Sequence, residues 1–312
     1  MSQPIIVIGG GHNGLTAASF LTRTRRPVLV LEARNVLGGL AAGDEFHPGF
    51  HSNGLLHDTS AVRPWVIREL NLEQHGLRFT DGPTPLTLVS EDQEPFYLDG
   101  KGLSGAVSDE LCIQYEKFES FIKRIRPAIM KLLDAAPVEP LGPLLSLIGP
   151  ALRIRRLGAT DLTELIRVPP MCAADWMRDS FHDERLGSAL VQGGLMGTWS
   201  GPWSPWSAAN VLLQACARQS PIAGGATSLI ASLKKAATSA GVTIRTGVEV
   251  TRILVEDDRV TGVELSTGET IETDTICATC DPVQAGLKLV GHRFLTATFA
   301  ESLSRIKDSA TT

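Results

Sequence analysis

Gly9, Gly11 and Gly14 stand at G-x-G-x-x-G spacing inside IIVIGGGHNGLTAA, and the next acidic residue along the sequence is Glu32. Residues of these types at this spacing can hold a dinucleotide. A glycine at position 9 permits a tight turn, Gly11 lets a pyrophosphate lie against the main chain, and Gly14 lets a helix pack closely on the strand before it. The free N–H groups and positive end of that helix then face the phosphates. Glu32 is placed to accept hydrogen bonds from the ribose hydroxyls of an adenosine, and its charge repels a 2′-phosphate, which disfavours NADP. Gly38 and Gly39 follow, a second place where backbone must approach something closely. A nicotinamide dinucleotide domain does not usually need this second pair.

The elements around these residues agree. Ile5, Ile6, Val7 and Ile8 are β-branched and apolar on both alternating faces, as in a strand buried within a parallel sheet. Leu15 to Leu21 carries small and apolar residues at helical spacing, and Val28 to Leu31 gives a second buried strand ending in Glu32. The glycine motif therefore falls at a strand-to-helix turn.

Other chemistry-bearing residues read more plainly. Cys277 and Cys280 form C-x-x-C, but redox dithiols of that spacing lie at a helix N-terminus, and this pair follows a strand-like IETDTI and runs into Asp281-Pro282. Two buried small residues at a strand end is the preferred reading. Cys112, Cys172 and Cys216 are scattered and make no disulfide framework. The seven histidines show no metal-ligand spacing, with His47, His51 and His57 interrupted by Pro and Gly, so no metal is expected. His51 and Ser52 are candidates to lie beside a cofactor ring, with a structural role favoured over a chemical one.

Gly9-x-Gly11-x-x-Gly14, Glu32 and Gly38-Gly39 resemble the two-part FAD fingerprint of the amine oxidase and phytoene desaturase superfamily. GGGHNGLTAA, LEARNVLGGLAA and FHPGFHSN together are similar to its branch of phytoene dehydrogenase-like and pyridine nucleotide-disulfide oxidoreductase domain-containing proteins. The likeness returns in LDAAPVEP, in LVQGGLMGTWSGPWSPWSAANVLL, and from Pro221 to Pro282. It implies FAD as cofactor, bound through Gly9, Gly11, Gly14, Glu32, Ala33, Arg34, Gly38, Gly39 and Leu40. A strand carrying Val250 is implied to lie over the adenine with a backbone contact. The implied fold is α/β, a glutathione-reductase-like Rossmann domain with a β-meander and an inserted α+β substrate domain. The implied chemistry is hydride transfer from a substrate C–H bond to flavin N5, which requires no side-chain nucleophile, and no catalytic residue is assigned. Amine oxidases commonly carry Arg after the glycine pair, whereas Leu40 stands here and shifts the expectation toward a small hydrophobic, desaturase-type substrate. Family members are longer and carry a further FAD signature near their C-terminus. None follows residue 282, so the protein is expected to be incomplete at its C-terminal end relative to the family, a fragment or one completed by another polypeptide.

The composition suits a globular enzyme of 312 residues, 43% hydrophobic and 20% charged, long enough for two domains. A net charge of −5 gives no reason to expect nucleic acid. No presequence pattern precedes the first strand, so a cytoplasmic location is the default expectation. The expected organisation is a first FAD-domain segment at 1–75, a largely helical substrate domain at 76–215, a second FAD-domain segment at 216–290 and the start of a return segment at 291–312. Within it, LTLVSEDQEPFYLDG reads as a hairpin and a long helix follows a Ser108 cap. Further helices are expected at 160–168, 184–196 and after Gly224-Gly225. From Val242 to Ile276 the alternation at period two reads as one meander. Trp199, Trp203 and Trp206 form either a pocket wall or a packed aromatic loop. Pro137 to Gly158 combines an apolar stretch with Arg153, Arg155 and Arg156, which leaves peripheral membrane contact open beside the favoured reading of a core helix. A homo-oligomer or a separate partner polypeptide also stays open. The rival functions are an NAD-dependent dehydrogenase and a flavin-binding interaction protein without turnover.

Overall fold

The computed structural model describes residues 2–43, 45–52, 54–56, 58–135, 152 and 154–306. The protein divides into two compact units, one built from residues up to Thr80 and from Pro221 onward, the other from Asp81 to Ser220. At the crossings the two segments of the first unit lie side by side, with Thr80 N–H on the Pro221 carbonyl and Ala223 N–H on the Arg78 carbonyl, both at 2.9 Å.

The first segment opens with β1 (Ile5–Ile8), every residue of which is buried. Helix α1 (His12–Leu21) follows, and Arg25 in the left-handed conformation (φ 61°) turns the backbone into β2 (Val28–Glu32). The two strands pair in parallel, with Ile5 opposite Val28 and Ile8 opposite Leu31. A small hairpin, β3 (Glu45–His47) and β4 (Phe50–His51), turns through Gly49 at φ 80°. Helix α2 (Pro64–Glu69) starts on the proline that its first turn tolerates and buries Ile67.

The second unit begins with β5 (Leu86–Leu88) and β6 (Phe96–Asp99), the expected hairpin, to which β7 (Gly102–Gly105) adds a strand too glycine-rich to read as one. Helix α3 (Asp109–Leu133) is capped by Ser108, whose hydroxyl accepts from the Leu111 N–H, and its buried face runs Leu111, Phe118, Ile122, Ile125 and Ile129. Helices α4 (Ala159–Arg167), α5 (Ala173–Ser180), α6 (Glu184–Leu195) and α7 (Ser207–Ala217) come later in the unit. Asp161 of α4 takes a two-pronged hydrogen bond from Arg124 of α3 at 2.6 and 2.9 Å. In α6, a Cβ at Gly194 would stand 2.5 Å from Val211 Cα, so this glycine is what lets α6 and α7 meet. The sequence reading passed over α5 and α7. Their segments carry Trp, Asp, Cys and Asn among the apolar positions and are short, so packing onto the shared core of Phe96, Phe118, Trp176 and Leu186 decides them.

The returning segment carries α8 (Gly225–Ser239), β8 (Thr243–Thr246), β9 (Val250–Glu256), β10 (Arg259–Leu265), β11 (Thr270–Glu272) and β12 (Ile276–Ala278), then α9 (Ala297–Ser304). Here the expectation of one meander from Val242 to Ile276 is corrected. Only β9, β10 and β11 form it, with Asp257 and Asp258 at φ 45° and 58° in the β9–β10 turn. Among the described residues, β8 and β12 instead join the parallel sheet, in the order β12-β1-β2-β8. Alternation at period two reports a half-buried strand and not its partner, which is why the flanking strands were indistinguishable from the meander.

The unit is layered. On one face of the sheet Val7, Val28 and Val30 pack with Leu15 of α1 and Leu229 and Leu233 of α8. On the other, Ile6, Ile8 and Leu31 pack with Val250, Val263 and Leu265 of the meander. Both faces of the sheet being covered explains the unbroken apolar runs of β1 and β2.

Candidate dinucleotide site

The turn between β1 and α1 is fixed from three directions. Gly9, at φ 105°, donates its N–H to the Leu31 carbonyl at 2.9 Å. A Cβ at Gly14 would lie 1.9 Å from the Gly9 carbonyl oxygen, so the first turn of α1 rests directly on the glycine loop. Just after β12, the Thr279 hydroxyl is shared between the carbonyls of Ile8 and Gly9 at 3.0 and 3.2 Å, while its N–H bonds to Ile8 O at 2.9 Å.

Glu32 ends β2 with only 8% of its surface exposed. Its carboxylate accepts the Gly10 N–H at 2.6 Å on one oxygen and the Arg34 N–H at 2.9 Å on the other. Each oxygen retains capacity for a further donor, since a carboxylate offers about four acceptor positions. The side chain expected on a ribose is thus also the staple that ties the glycine turn to β2. Gly10 was passed over as a spacer of the motif, yet a Cβ there would fall 2.5 Å from Leu37 and 3.1 Å from Glu32 Cβ.

The second glycine pair returns onto the first loop. Gly38 N–H bonds to the Gly10 carbonyl at 2.9 Å, and Gly38 (φ 129°) pairs with Gly11 in a parallel bridge, with Gly39 (φ 55°) next to Gly11. A Cβ on Gly11 would meet Gly38 O and Gly39 Cα at 3.7 Å, an ordinary contact, and the backbone at Gly11 (φ −74°, ψ 178°) accepts any residue. Close approach of one backbone segment to another therefore accounts for part of the glycine requirement at 38 and 39. The first intrahelical bond of α1 runs from Leu15 N–H to Gly11 O at 2.9 Å, so the amides before it lie outside the helix ladder and supply the partial positive charge of its end. His12, in that first turn, is half-buried, and burial holds its pKa below the usual 6.5, leaving it neutral at pH 7.

Beyond β2, the Arg34 carbonyl accepts from Gly247 N–H and the Glu32 carbonyl from Val248 N–H, both at 2.9 Å. The stretch Glu32-Ala33-Arg34 and the entry to β9 are brought together in this way, with Ala33 and Arg34 exposed. Val250 is 7% exposed and its side chain belongs to the core with Leu31 and Val263. Leu40 is 63% exposed in a short turn whose carbonyl accepts from Leu55 and Leu56. Beside this loop, Asn35, Leu37, Gly43, Thr227, Lys234 and Thr246 line a cleft of about 480 Å³.

The remaining candidates lie elsewhere. Cys277 packs with the α1–α8 side of the sheet and Cys280 with the meander side, so the C-x-x-C thiols face opposite layers; burial raises the pKa of both. Trp199, Trp203 and Trp206 are 62%, 58% and 62% exposed. Of these, Trp203 borders a cavity of about 400 Å³ with Met177, Phe181 and Leu195, and the Arg178 guanidinium lies 4.4 Å from its ring centre. His57 and most of the stretch from Pro137 to Gly158 are outside the described residues. No helix among the described residues is long and apolar enough to cross a membrane. Sequence reasoning missed Gly10 and Thr279; the run of three glycines and a Thr within CATCDP were the available signals.

A family model described as an NAD(P)-binding Rossmann-like domain matches residues 7–62. The mouse pyridine nucleotide-disulfide oxidoreductase domain-containing protein 2 is 28% identical over 331 aligned positions, covering 96% of this chain and 57% of the relative. A limonene dehydrogenase subunit of Castellaniella defragrans is 28% identical, over 89% of this chain and 52% of its own length. Hydroxyneurosporene desaturase of Cereibacter sphaeroides is also 28% identical, over 89% and 56%. The protein thus spans little more than half the length of these curated relatives. Among solved structures, an oxidoreductase from Methanosarcina mazei superimposes with a TM-score of 0.61 at 18% identity, over 98% of this chain and 66% of that one. A putrescine oxidase variant gives 0.59 at 14% identity, over 97% and 63%. These structures show the fold: a mixed α/β protein with a Rossmann-like dinucleotide-binding domain, shared with amine oxidase-like oxidoreductases.

Proposed function

We propose that this protein, whose relatives are oxidoreductases built on a dinucleotide-binding Rossmann-like domain, is an FAD-dependent oxidoreductase that oxidises a C–H bond of a hydrophobic substrate. The observation that carries the reading is the convergence on one turn of the α1 end, the Glu32 carboxylate and the Gly38-Gly39 backbone. The residues fit the adenosine and pyrophosphate half of FAD. Gly11 presents bare backbone at the helix end, where a phosphate meets N–H groups and a positive dipole. Glu32 is held in place by two backbone N–H groups and retains acceptor capacity for ribose hydroxyls. The Glu32-Ala33-Arg34 stretch and the entry to β9 flank the same position, which suits the adenine. When bound, FAD supplies hydride acceptance at the flavin N5. The protein's share is to fix the dinucleotide's near half, keep His12 neutral beside the phosphates and offer the loop after Gly39 toward the ring.

FAD is favoured over a nicotinamide dinucleotide by the Gly38-Gly39 pair and by the meander that covers the second face of the sheet. A hydrophobic substrate is supported by Leu40 and by relatives named for limonene and hydroxyneurosporene. The description of the matching family model favours a second reading, NAD as the bound group. Parallel titrations of the purified protein with FAD and NAD, followed by tryptophan quenching, separate the two. The proposal expects FAD to bind at least ten-fold more tightly; equal affinity, or a preference for NAD, would overturn it.

A further inference from the structure

Lys123, Arg126 and Arg218 line one cavity of about 590 Å³ within the unit of residues 81–220. Among the described residues none of the three takes part in an ion pair. Arg126 donates from Nη2 to the Ala215 carbonyl at 3.1 Å, satisfying one of the orphan carbonyls in the last turn of α7. Its Nε is buried and has no hydrogen-bond partner. The bond to Ala215 anchors the guanidinium at the cavity wall.

The chemistry around it narrows the partner. Acids also line the cavity: Glu119 accepts the Tyr115 hydroxyl at 3.2 Å, Asp99 accepts the Lys101 N–H at 2.7 Å, and Glu116 is exposed. Burial and Glu119 push the Tyr115 phenol far above its usual pKa, so it remains a proton donor. Three carboxylates near the site repel a dianion more than a monoanion. Apolar residues also line it, with Leu86, Leu103 and Leu190 partly exposed over the buried Leu98, Phe118 and Val211. A guanidinium matches the planar fork of a carboxylate. The volume is that of a small-molecule pocket.

We infer that this cavity binds an amphipathic carboxylate, its carboxylate on the Arg126 and Arg218 guanidinium groups and its aliphatic body along Leu86, Leu103 and Leu190. Every lining residue belongs to the 81–220 unit and none to the dinucleotide turn, so the test does not require FAD.

Calorimetric titration of the purified protein with octanoate, decanoate and 1-octanol tests it. Decanoate should bind about ten-fold more tightly than octanoate, the effect of two more buried methylenes. Octanol should bind at least ten-fold more weakly than octanoate. Arg126→Met should weaken decanoate by roughly ten-fold or more, and saturating FAD should leave decanoate binding unchanged. Should Arg126→Met fail to fold, Arg126→Lys, which keeps a cation but lacks the planar fork, and Arg218→Met carry the same expectation. No decanoate binding, octanol binding as tight as octanoate, displacement by FAD, or affinity unmoved in these Arg variants would each overturn the inference.

Discussion

Substituting alanine for Gly14 and for Gly11 should separate folding from binding at a single turn. At Gly14 the new methyl would lie 1.9 Å from the Gly9 carbonyl oxygen, where real contacts stay beyond 3.0 Å, so α1 must retreat by about 1.1 Å. The obstacle is backbone and cannot rotate away. Leu15 and Ala18, both fully buried, lose contact as α1 lifts from the sheet. A gap of about 1 Å forfeits a quarter to a half of each van der Waals well, and a buried Leu contributes about 1.5–3 kcal/mol. With the overpacking itself at roughly 1–3 kcal/mol, the loss should total about 2–4 kcal/mol. At about 2–4 °C per kcal/mol, differential scanning calorimetry should record a Tm lower by roughly 4–16 °C. At Gly11 the nearest atoms to a new methyl stand 3.7 Å away and φ is −74°, so the cost should be no more than about 1 kcal/mol for a poorer N-cap. That methyl nevertheless covers the bare backbone offered to the pyrophosphate, and FAD affinity should fall by about ten-fold or more. A Gly14→Ala protein that melts with the wild type, or a Gly11→Ala protein that melts lower than Gly14→Ala, would refute the packing argument.

Other expectations follow from neighbouring residues. Glu32→Gln places an amide that can accept from only one of Gly10 and Arg34, so the protein should lose about 1–3 kcal/mol of stability and FAD affinity should drop by roughly one to two decades; melts with and without FAD check both. His12, with its folded pKa lowered by burial, binds a proton less readily than in the unfolded state, so stability should decline as pH falls through 6.5, and His12→Gln should flatten that part of a Tm–pH profile. Asp161 is held below the usual carboxylate range by its hydrogen bonds from Arg124, so its contribution is present above the unfolded carboxylate pKa and is lost as pH falls through the lower folded value. Asp161→Asn should therefore destabilise at pH 7 more than at pH 3 in urea titrations. Thiol titration of the denatured protein without reductant should find Cys277 and Cys280 both free, since they face opposite layers of the sheet.

The parts of the fold legible in the sequence were those governed by local pattern. The four branched residues of β1, the glycine spacing and Glu32 at the end of β2 dictate strand, turn and acceptor with no need of distant partners. The capped helix from Asp109 and the Asp257-Asp258 turn are equally local. What stayed hidden depends on partners far along the sequence. Thr279 closes a loop some 270 positions earlier, β8 and β12 choose the parallel sheet over the meander, and a side chain at Gly10 would crowd those of Leu37 and Glu32. The role of Gly38 was legible as a close approach, but its contact with the Gly10 carbonyl emerges only on folding.

The account rests on FAD lying across the turn between β1 and α1. A crystal structure of the protein with FAD tests that most directly. The pyrophosphate should stand against Gly11 at the start of α1, with the ribose hydroxyls on Glu32 and the adenine beside the entry to β9. Density for the dinucleotide elsewhere, or a pyrophosphate away from α1 with Glu32 still bound only to Gly10 and Arg34, would contradict it.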